Sequence, residues 1–419
     1  MDNNYSGKRM REFLAKTEKG EDVSNFQFTH PKTKDEAKLW NYNFWNTQPV
    51  TQLDTIATLS KIIDKEFGYD KMNKMYYPYE WKDFDLNNDI ELDSIVKFLN
   101  KNYYDQDQDN KNKKIKFVPV FTKEYIKLIL GNKGQILGIT TNKNNKIIIG
   151  GLVCLSVRNM QLFDLTTEVC NVMYMLIHKS LREKQIAELM IKEITRKLTL
   201  KGIKVGMFST YEYIPTPICE ISEYQRPINY QKLYDLGFVT LENKNELNIA
   251  IREYKITATS KGTKLTVNNV EDAYKKLCEY QDRYNIYELY TLEQFIETFL
   301  DNECVSSFVI IENDEVKDFY SYYKYSLTNP KNDKLINVAK MFIYSSNEIT
   351  PLSLFKNAII DASTENIDVF MCSDIMENNE ICYDNVNKFT QTSSVAYLNT
   401  FNWECPEISP EQVSCSVWY

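Results

Sequence analysis

Two stretches of the chain carry the same order of elements, and that order restricts the available folds more than any other feature. In the first, strand-like runs at 134–141, 146–157 and 171–177 precede an amphipathic helix over roughly 181–200 and a strand at 203–210. Ile186, Met190 and Ile194 stand four apart on one face of that helix, and Gly202 sits where a C-terminal cap belongs. In the second, runs at 305–312, 317–326 and 337–344 lead to a helical stretch at 351–362 and a strand at 366–372. Three strands, a helix and a strand make a mixed α/β unit. Two such units in one chain imply a duplication, with the halves related by a pseudo-two-fold axis; the alternative is that β-rich segments look alike by chance. A further helix is expected over 92–103, where Leu92, Ile95, Val96 and Leu99 share a face.

Residue scarcities then remove whole classes of chemistry. Of 419 residues only His30 and His178 are histidine, so a histidine-rich metal site is out and no metal is expected. A Ser-His-Asp or Cys-His mechanism would have to use one of those two. The 12 glycines form neither a dinucleotide-binding nor a P-loop motif. A net charge of −8 opposes nucleic-acid binding, which needs a lysine and arginine surplus, and favours a basic partner instead. Nine cysteines without a C-x-x-C pair read as reduced thiols in a cytoplasmic protein. Neither a signal peptide nor an apolar run long enough to span a membrane is present, and a monomer is expected. Residues 1–40, with eight Lys/Arg against seven Asp/Glu, read as a mobile arm with at most one short helix.

The segment Tyr174-Met175-Leu176-Ile177-His178-Lys179-Ser180-Leu181-Arg182-Glu183-Lys184-Gln185-Ile186-Ala187 runs from a strand end into a helix start. The unpaired amides of a first helical turn attract anions, and Arg182 and Lys184 add charge suited to a pyrophosphate. The spacing Arg182-x-x-Gln185-x-Ala187 resembles the pyrophosphate loop of GNAT-type acetyltransferases, with Gln185 in place of the first glycine. A solvated basic surface would look the same in isolation.

The longer stretch, with Leu189-Met190-Ile191-Lys192-Glu193-Ile194-Thr195-Arg196-Lys197 after it, resembles the N-myristoyltransferase family. So do Phe44-Trp45-Asn46-Thr47-Gln48-Pro49-Val50, Ile367-Asp368-Val369-Phe370 with Asp374-Ile375-Met376-Glu377-Asn378, and Asn402-Trp403-Glu404-Cys405-Pro406 with the Glu411-Gln412-Val413 tail. These motifs keep the family's order across about 41–419. The resemblance implies an α/β (α+β) fold of two fused GNAT-like acyltransferase units with pseudo-two-fold symmetry, in mixed β-sheets flanked by helices. It also implies an N-terminal half (41–215) for the acyl donor myristoyl-CoA and a C-terminal half (216–419) for the peptide groove and a returning tail.

By the same resemblance the enzyme transfers myristate to the α-amine of an N-terminal glycine, with the Tyr419 terminal carboxylate as base. The backbone amides of Tyr174 and Met175 would form the oxyanion hole. Asn43, Phe44, Trp45, Met175, Leu176, Ile177, Arg182, Glu183, Lys184, Gln185, Ile186 and Ala187 would line the acyl-CoA site. Tyr104, Asp105, Asp107, Ser209 and Tyr224 would meet a Gly-initiated protein N-terminus carrying a basic or polar residue downstream. His178 is then structural or CoA-adjacent, not the base, and Asp105–Asp109 could equally be a solvated loop.

Departures from the family fall on the peptide side. Its G-D-G-N turn is replaced around Thr392-Ser393-Ser394-Val395, its asparagine after D-V-F is Met371, its Y-W-H reads Glu223-Tyr224-Gln225, and the tail after Val413 is one residue longer. The expectation is therefore conserved donor chemistry with altered peptide preference. Competing readings are a module that binds acyl-CoA or myristoylated peptide without turnover, and an acetyltransferase for a small amine.

Overall fold

A computed structural model describes residues 31–103, 117–144, 146–330, 333–384 and 386–415. The first unit consists of β1 (Gln135–Lys143), β2 (Lys146–Leu162), β3 (Leu165–Ile177), helix α1 (Ile186–Thr199), β4 (Val205–Thr210) and β5 (Cys219–Pro227). The second repeats it as β6 (Val305–Glu312), β7 (Glu315–Thr328), β8 (Leu335–Ser345), α2 (Pro351–Thr364), β9 (Val369–Ser373) and β10 (Thr390–Phe401). In each, two antiparallel ladders are followed by a helical crossover to a parallel strand: β3 beside β4, and β8 beside β9. The expected pair of units, in a mixed sheet flanked by helices, is what the chain builds.

The units are interlocked. Strand order through the sheet is β1-β2-β3-β4-β10-β5-β9-β8-β7-β6, so the last strand of each unit leaves its own unit to lie beside the other's crossover strand. Tyr397–Phe401 of β10 pair with Gly206–Thr210 of β4, and Glu223–Pro227 of β5 pair with Val369–Ser373 of β9. The pseudo-two-fold axis passes between β10 and β5, which pair with each other. β8 is buried along most of its length and β7 through its middle, consistent with their richness in Tyr, Phe, Ile and Val.

Helix α1 lies on the first unit through Ile186, Met190, Ile194 and Leu198, which pack on Leu137, Ile139, Val153, Leu155 and Cys170. Its buried Glu193 ties it to the preceding segment, accepting from the Asn73 backbone N–H at 2.9 Å and from Arg196 Nη2 at 2.6 Å. Helix α2 starts where the sequence signals it, with the Thr350 hydroxyl accepting the Ser353 N–H at 3.3 Å and Pro351 in its first turn.

Two expectations need correction. The helix expected from 181 begins at Ile186, because Glu183 and Gln185 adopt left-handed backbone (φ 62° and 57°) and hold the preceding residues in a loop. The mobile arm expected over 1–40 is not seen in its described part, 31–40. Residues 31–40 pack on the body, with a short helix at Lys34–Ala37, Ala37 fully buried, and the Tyr213 N–H donating to Pro31 O at 2.7 Å.

The exchange of β5 and β10 means that neither unit is closed without the other. A chain cut after Lys388, which lacks β10, is expected to show no cooperative urea transition by circular dichroism. One lacking only residues 1–40 should keep a transition at somewhat lower urea.

Candidate active site

The site begins where two parallel strands part. The ladder between β3 and β4 covers only Val169–Val172 opposite Val205–Phe208, yet β3 runs on to Ile177 and β4 to Thr210. Met173 is an extra residue in β3, a bulge between the pairs Leu155–Val172 and Cys154–Tyr174. A bulge bends its strand and breaks the alternation by which successive amides face opposite edges. The next residues, Tyr174 and Met175, are those expected to supply an oxyanion hole.

Behind the parting lies a cavity of about 270 Å³ between β3, β4 and α1. Its walls are mainly apolar, from Val172 and Met175 of β3, Ile191, Ile194 and Leu198 of α1, and Phe208 of β4. Trp45 stacks on Phe208 (centroids 5.6 Å apart, planes at 13°), and Phe44 meets Trp45 edge-on at 5.2 Å. Lys192 Nζ lies 5.9 Å from the Phe44 ring centre. Thus Trp45 and Met175, expected in the acyl-CoA site, and Ser209, expected near the acceptor glycine, line one cavity, with Phe44 outside its lining. An alkyl chain entering such a space would gain about 0.8 kcal/mol per buried methylene.

At the end of β3 the chain enters the loop before α1. His178 turns back to cap a 3-10 turn at Lys179–Leu181: its Nδ1 accepts the Ser180 N–H at 3.3 Å and lies 2.8 Å from Ser180 Oγ. The ring is thereby tied into the loop. Arg182 Nε donates to Ile177 O at 3.2 Å, which fixes the guanidinium beside the strand end. Gln185, the N-cap of α1, makes no side-chain cap hydrogen bond. Ile186 is buried in the core, so it can offer a ligand only its backbone. Glu183 and Lys184 are exposed on the same loop, Leu176 and Ala187 are half-buried, and Asn43 is exposed beside Phe44.

Other expected positions lie apart from the cavity or outside the described residues. Tyr224 is 2% exposed and its hydroxyl donates to Tyr383 Oη at 3.2 Å, leaving Tyr383 as the exposed member of the pair. Tyr104, Asp105, Asp107 and Tyr419 lie outside the described residues. The tail leading to Tyr419 is buried as far as it is described. Val413–Ser414 pair in parallel with Ile286–Tyr287, the Met376 N–H donates to Val413 O at 3.1 Å, and Cys415 is 8% exposed.

Several residues here carry no legible sequence signal. Phe208, Phe67 and Phe401 complete the cavity wall, and only the helical spacing of Ile191, Ile194, Thr195 and Leu198 could have announced it. Near the molecular centre, Lys340 Nζ and Glu223 Oε1 form a buried ion pair at 2.8 Å, with Ser373 Oγ donating to the same oxygen at 2.6 Å. Tyr325 packs against Tyr125 at 6.0 Å, and the Tyr125 and Tyr174 hydroxyls lie 3.3 Å apart.

The mixed α/β unit thus holds an apolar cavity between two parting parallel strands and their crossover helix. Comparison with known proteins gives the family. Residues 59–221 match the family described as Myristoyl-CoA:protein N-myristoyltransferase, N-terminal domain, and residues 235–416 match its C-terminal domain. The chain belongs to the N-myristoyltransferase family. It is 27% identical to a probable glycylpeptide N-tetradecanoyltransferase of Caenorhabditis elegans, across 94% of this chain and 90% of that protein. The glycylpeptide N-tetradecanoyltransferase of Plasmodium falciparum is also 27% identical, across 91% and 94%. The Saccharomyces cerevisiae N-myristoyltransferase with bound myristoyl-CoA shares the fold, with a TM-score of 0.80 over 92% of this chain and 98% of that one, at 22% identity.

Asp374 stands beside the ion pair, its Oδ1 accepting the Ser222 N–H at 2.9 Å. Burial pushes its carboxyl up to about 6, and nearby Glu223 adds to the rise. A carboxyl whose folded pKa exceeds its unfolded value binds the proton more tightly when folded. Stability is therefore lost as pH rises from about 4 to about 6, by about 3 kcal/mol in total. Asp374→Asn keeps the acceptor oxygen without the charge. It is expected to raise the urea midpoint at pH 7.5, with the advantage shrinking towards pH 4 in denaturation curves across that range.

Proposed function

We propose that this protein transfers a myristoyl group from myristoyl-CoA to the α-amine of an N-terminal glycine. The observation that carries the reading is the apolar cavity between β3, β4 and α1, where the ladder between the two strands ends. The acyl chain would fill the cavity beneath Trp45, and the pyrophosphate would meet the α1 amides with Arg182 and Lys184. Residues 41–215 would hold the donor, and 216–419 would form the peptide groove.

A free α-amine has a pKa of about 8, so a carboxylate suffices to remove its proton and no covalent enzyme intermediate is needed. The terminal carboxylate of Tyr419 would take that proton, a role consistent with the burial of Val413–Cys415 just before it. The amine would attack the thioester carbon, forming the C–N bond. The developing oxyanion would be held by the amides of Tyr174 and Met175 until the C–S bond breaks, the second proton shed by the attacking nitrogen passing to the sulfur so that CoA leaves as thiol. Ser209, at the cavity's edge near the end of β4, would face the acceptor glycine; Tyr104, Asp105 and Asp107 would read the peptide beyond it, and buried Tyr224 would act only through Tyr383. The substrate class is a Gly-initiated protein N-terminus with a basic or polar residue downstream, met in the cytoplasm, where nine free thiols are at home.

The direct test is CoA thiol release from myristoyl-CoA with and without a Gly-Xaa-Xaa-Xaa-Ser-Lys peptide. Peptide-dependent release is expected, and tight donor binding without turnover would overturn the reading. Adding residues after Tyr419 is expected to cut turnover by about a hundredfold or more, within the span of general-base effects. Myristoyl-CoA affinity, followed by calorimetry, should change little.

The loop makes a separate prediction. Left-handed backbone costs a side-chain-bearing residue roughly 1 kcal/mol, which glycine avoids. Gln185→Gly is thus expected to keep or slightly raise the melting temperature and to leave donor affinity within about threefold.

A further inference from the structure

The pseudo-two-fold axis predicts a second cavity, equivalent to the first, under the crossover helix of the second unit. One is there, of about 200 Å³. Helices α1 and α2 are both 14 residues long. The acyl cavity touches α1 at its sixth, ninth and tenth positions (Ile191, Ile194, Thr195), and the second cavity touches α2 at the same three (Lys356, Ile359, Ile360). The strand positions correspond as well. Phe401 of the acyl cavity lies opposite Gly206, the second residue of β4. Arg226 of the second cavity lies opposite Phe370, the second residue of β9.

The lining has changed character at those matching places. Ile191 is replaced by Lys356 and Phe401 by Arg226, and Lys255 and Lys388 add two more positive charges against a single carboxylate, Glu253. Arg226 is 7% exposed. Its Nη1 and Nη2 donate to the carbonyls of Pro227 and Tyr254 at 3.0 and 3.1 Å, while its Nε has no hydrogen-bond partner. Among the described residues no carboxylate pairs with Arg226, Lys255 or Lys356. A buried guanidinium without a counter-ion is costly, and burial holds Arg226 down at about 10. An anion in the cavity would supply the missing charge.

We propose that this second cavity is a binding site for a small phosphate-bearing anion, held by Arg226 with Lys255, Lys356 and Lys388. The excess of positive charge selects a phosphate ester, which carries close to two negative charges at neutral pH, over a monocarboxylate. Ile359 and Ile360 give the cavity one apolar wall, so the phosphate carries a compact organic body. The site is separate from the Arg182–Gln185 loop and does not depend on the transferase reading.

The test is calorimetric titration of the full chain with inorganic phosphate and glycerol phosphate at pH 7.5, beside butyrate. Both phosphates are expected to bind and butyrate to bind at least about tenfold more weakly. Lys356 is exposed, so Lys356→Glu should fold normally. It is expected to weaken phosphate binding about tenfold, while Lys146→Glu at the exposed start of β2 leaves this binding unchanged. Arg226→Lys, which keeps the charge and loses the fork, should weaken glycerol phosphate as well. Absence of phosphate binding, loss in Lys146→Glu with none in Lys356→Glu, or butyrate binding as tightly as phosphate would each overturn the proposal.

Discussion

The candidate site rests on a parallel ladder that stops short. Val172 and Phe208 are the last partners across β3 and β4. Beyond them the two strands keep their extended form because each is held on its other side, β3 by β2 as far as Gly151–Ile177 and β4 by β10 as far as Thr210–Tyr397. A gap between parallel strands would otherwise collapse, because neighbouring backbone groups seek partners and apolar walls seek each other. Rigid outer ladders prevent that, and the cavity between β3, β4 and α1 follows from the parting.

The duplicated architecture lets the same geometry be used in two chemical settings. In the first unit the space beneath the crossover helix is walled with Ile, Val, Met and Phe. In the second it carries Arg226 and three lysines on a smaller cavity. The central sheet between them is crossed by the Lys340–Glu223 ion pair, which joins β8 to β5 and is capped by Ser373 of β9. Breaking such a pair by removing one partner leaves a buried charge uncompensated, and so the three strands are fixed in register.

Much of this was legible in the sequence because periodicity reports burial. The ten strands and two helices named here include every run expected at 134–210 and 305–372, and the duplication is visible in their order. What periodicity cannot report is a residue's backbone sign or its partner across the sheet. Nothing about Glu183 or Gln185 as residue types announces left-handed backbone, so the helix was expected five residues early. Polar composition at 31–40 suggested an arm, whereas the contacts that hold it come from Tyr213 and Tyr397, far away in the chain. Local motifs did bring Trp45, Met175 and Ser209 to one cavity. By contrast, Arg226 and Lys356 look like ordinary surface residues until the topology sets them side by side.

The exchanged strands also govern how the chain comes to be folded. Tyr397 must find Thr210, and until it does β4 presents an open edge above an apolar hollow. Contacts so distant in sequence are slow to form, because a long loop must close before they stabilise anything. During synthesis the first unit therefore waits, structurally incomplete, for nearly two hundred residues to emerge before its covering strand is available. Over that interval its apolar surface is open to aggregation and to chaperones.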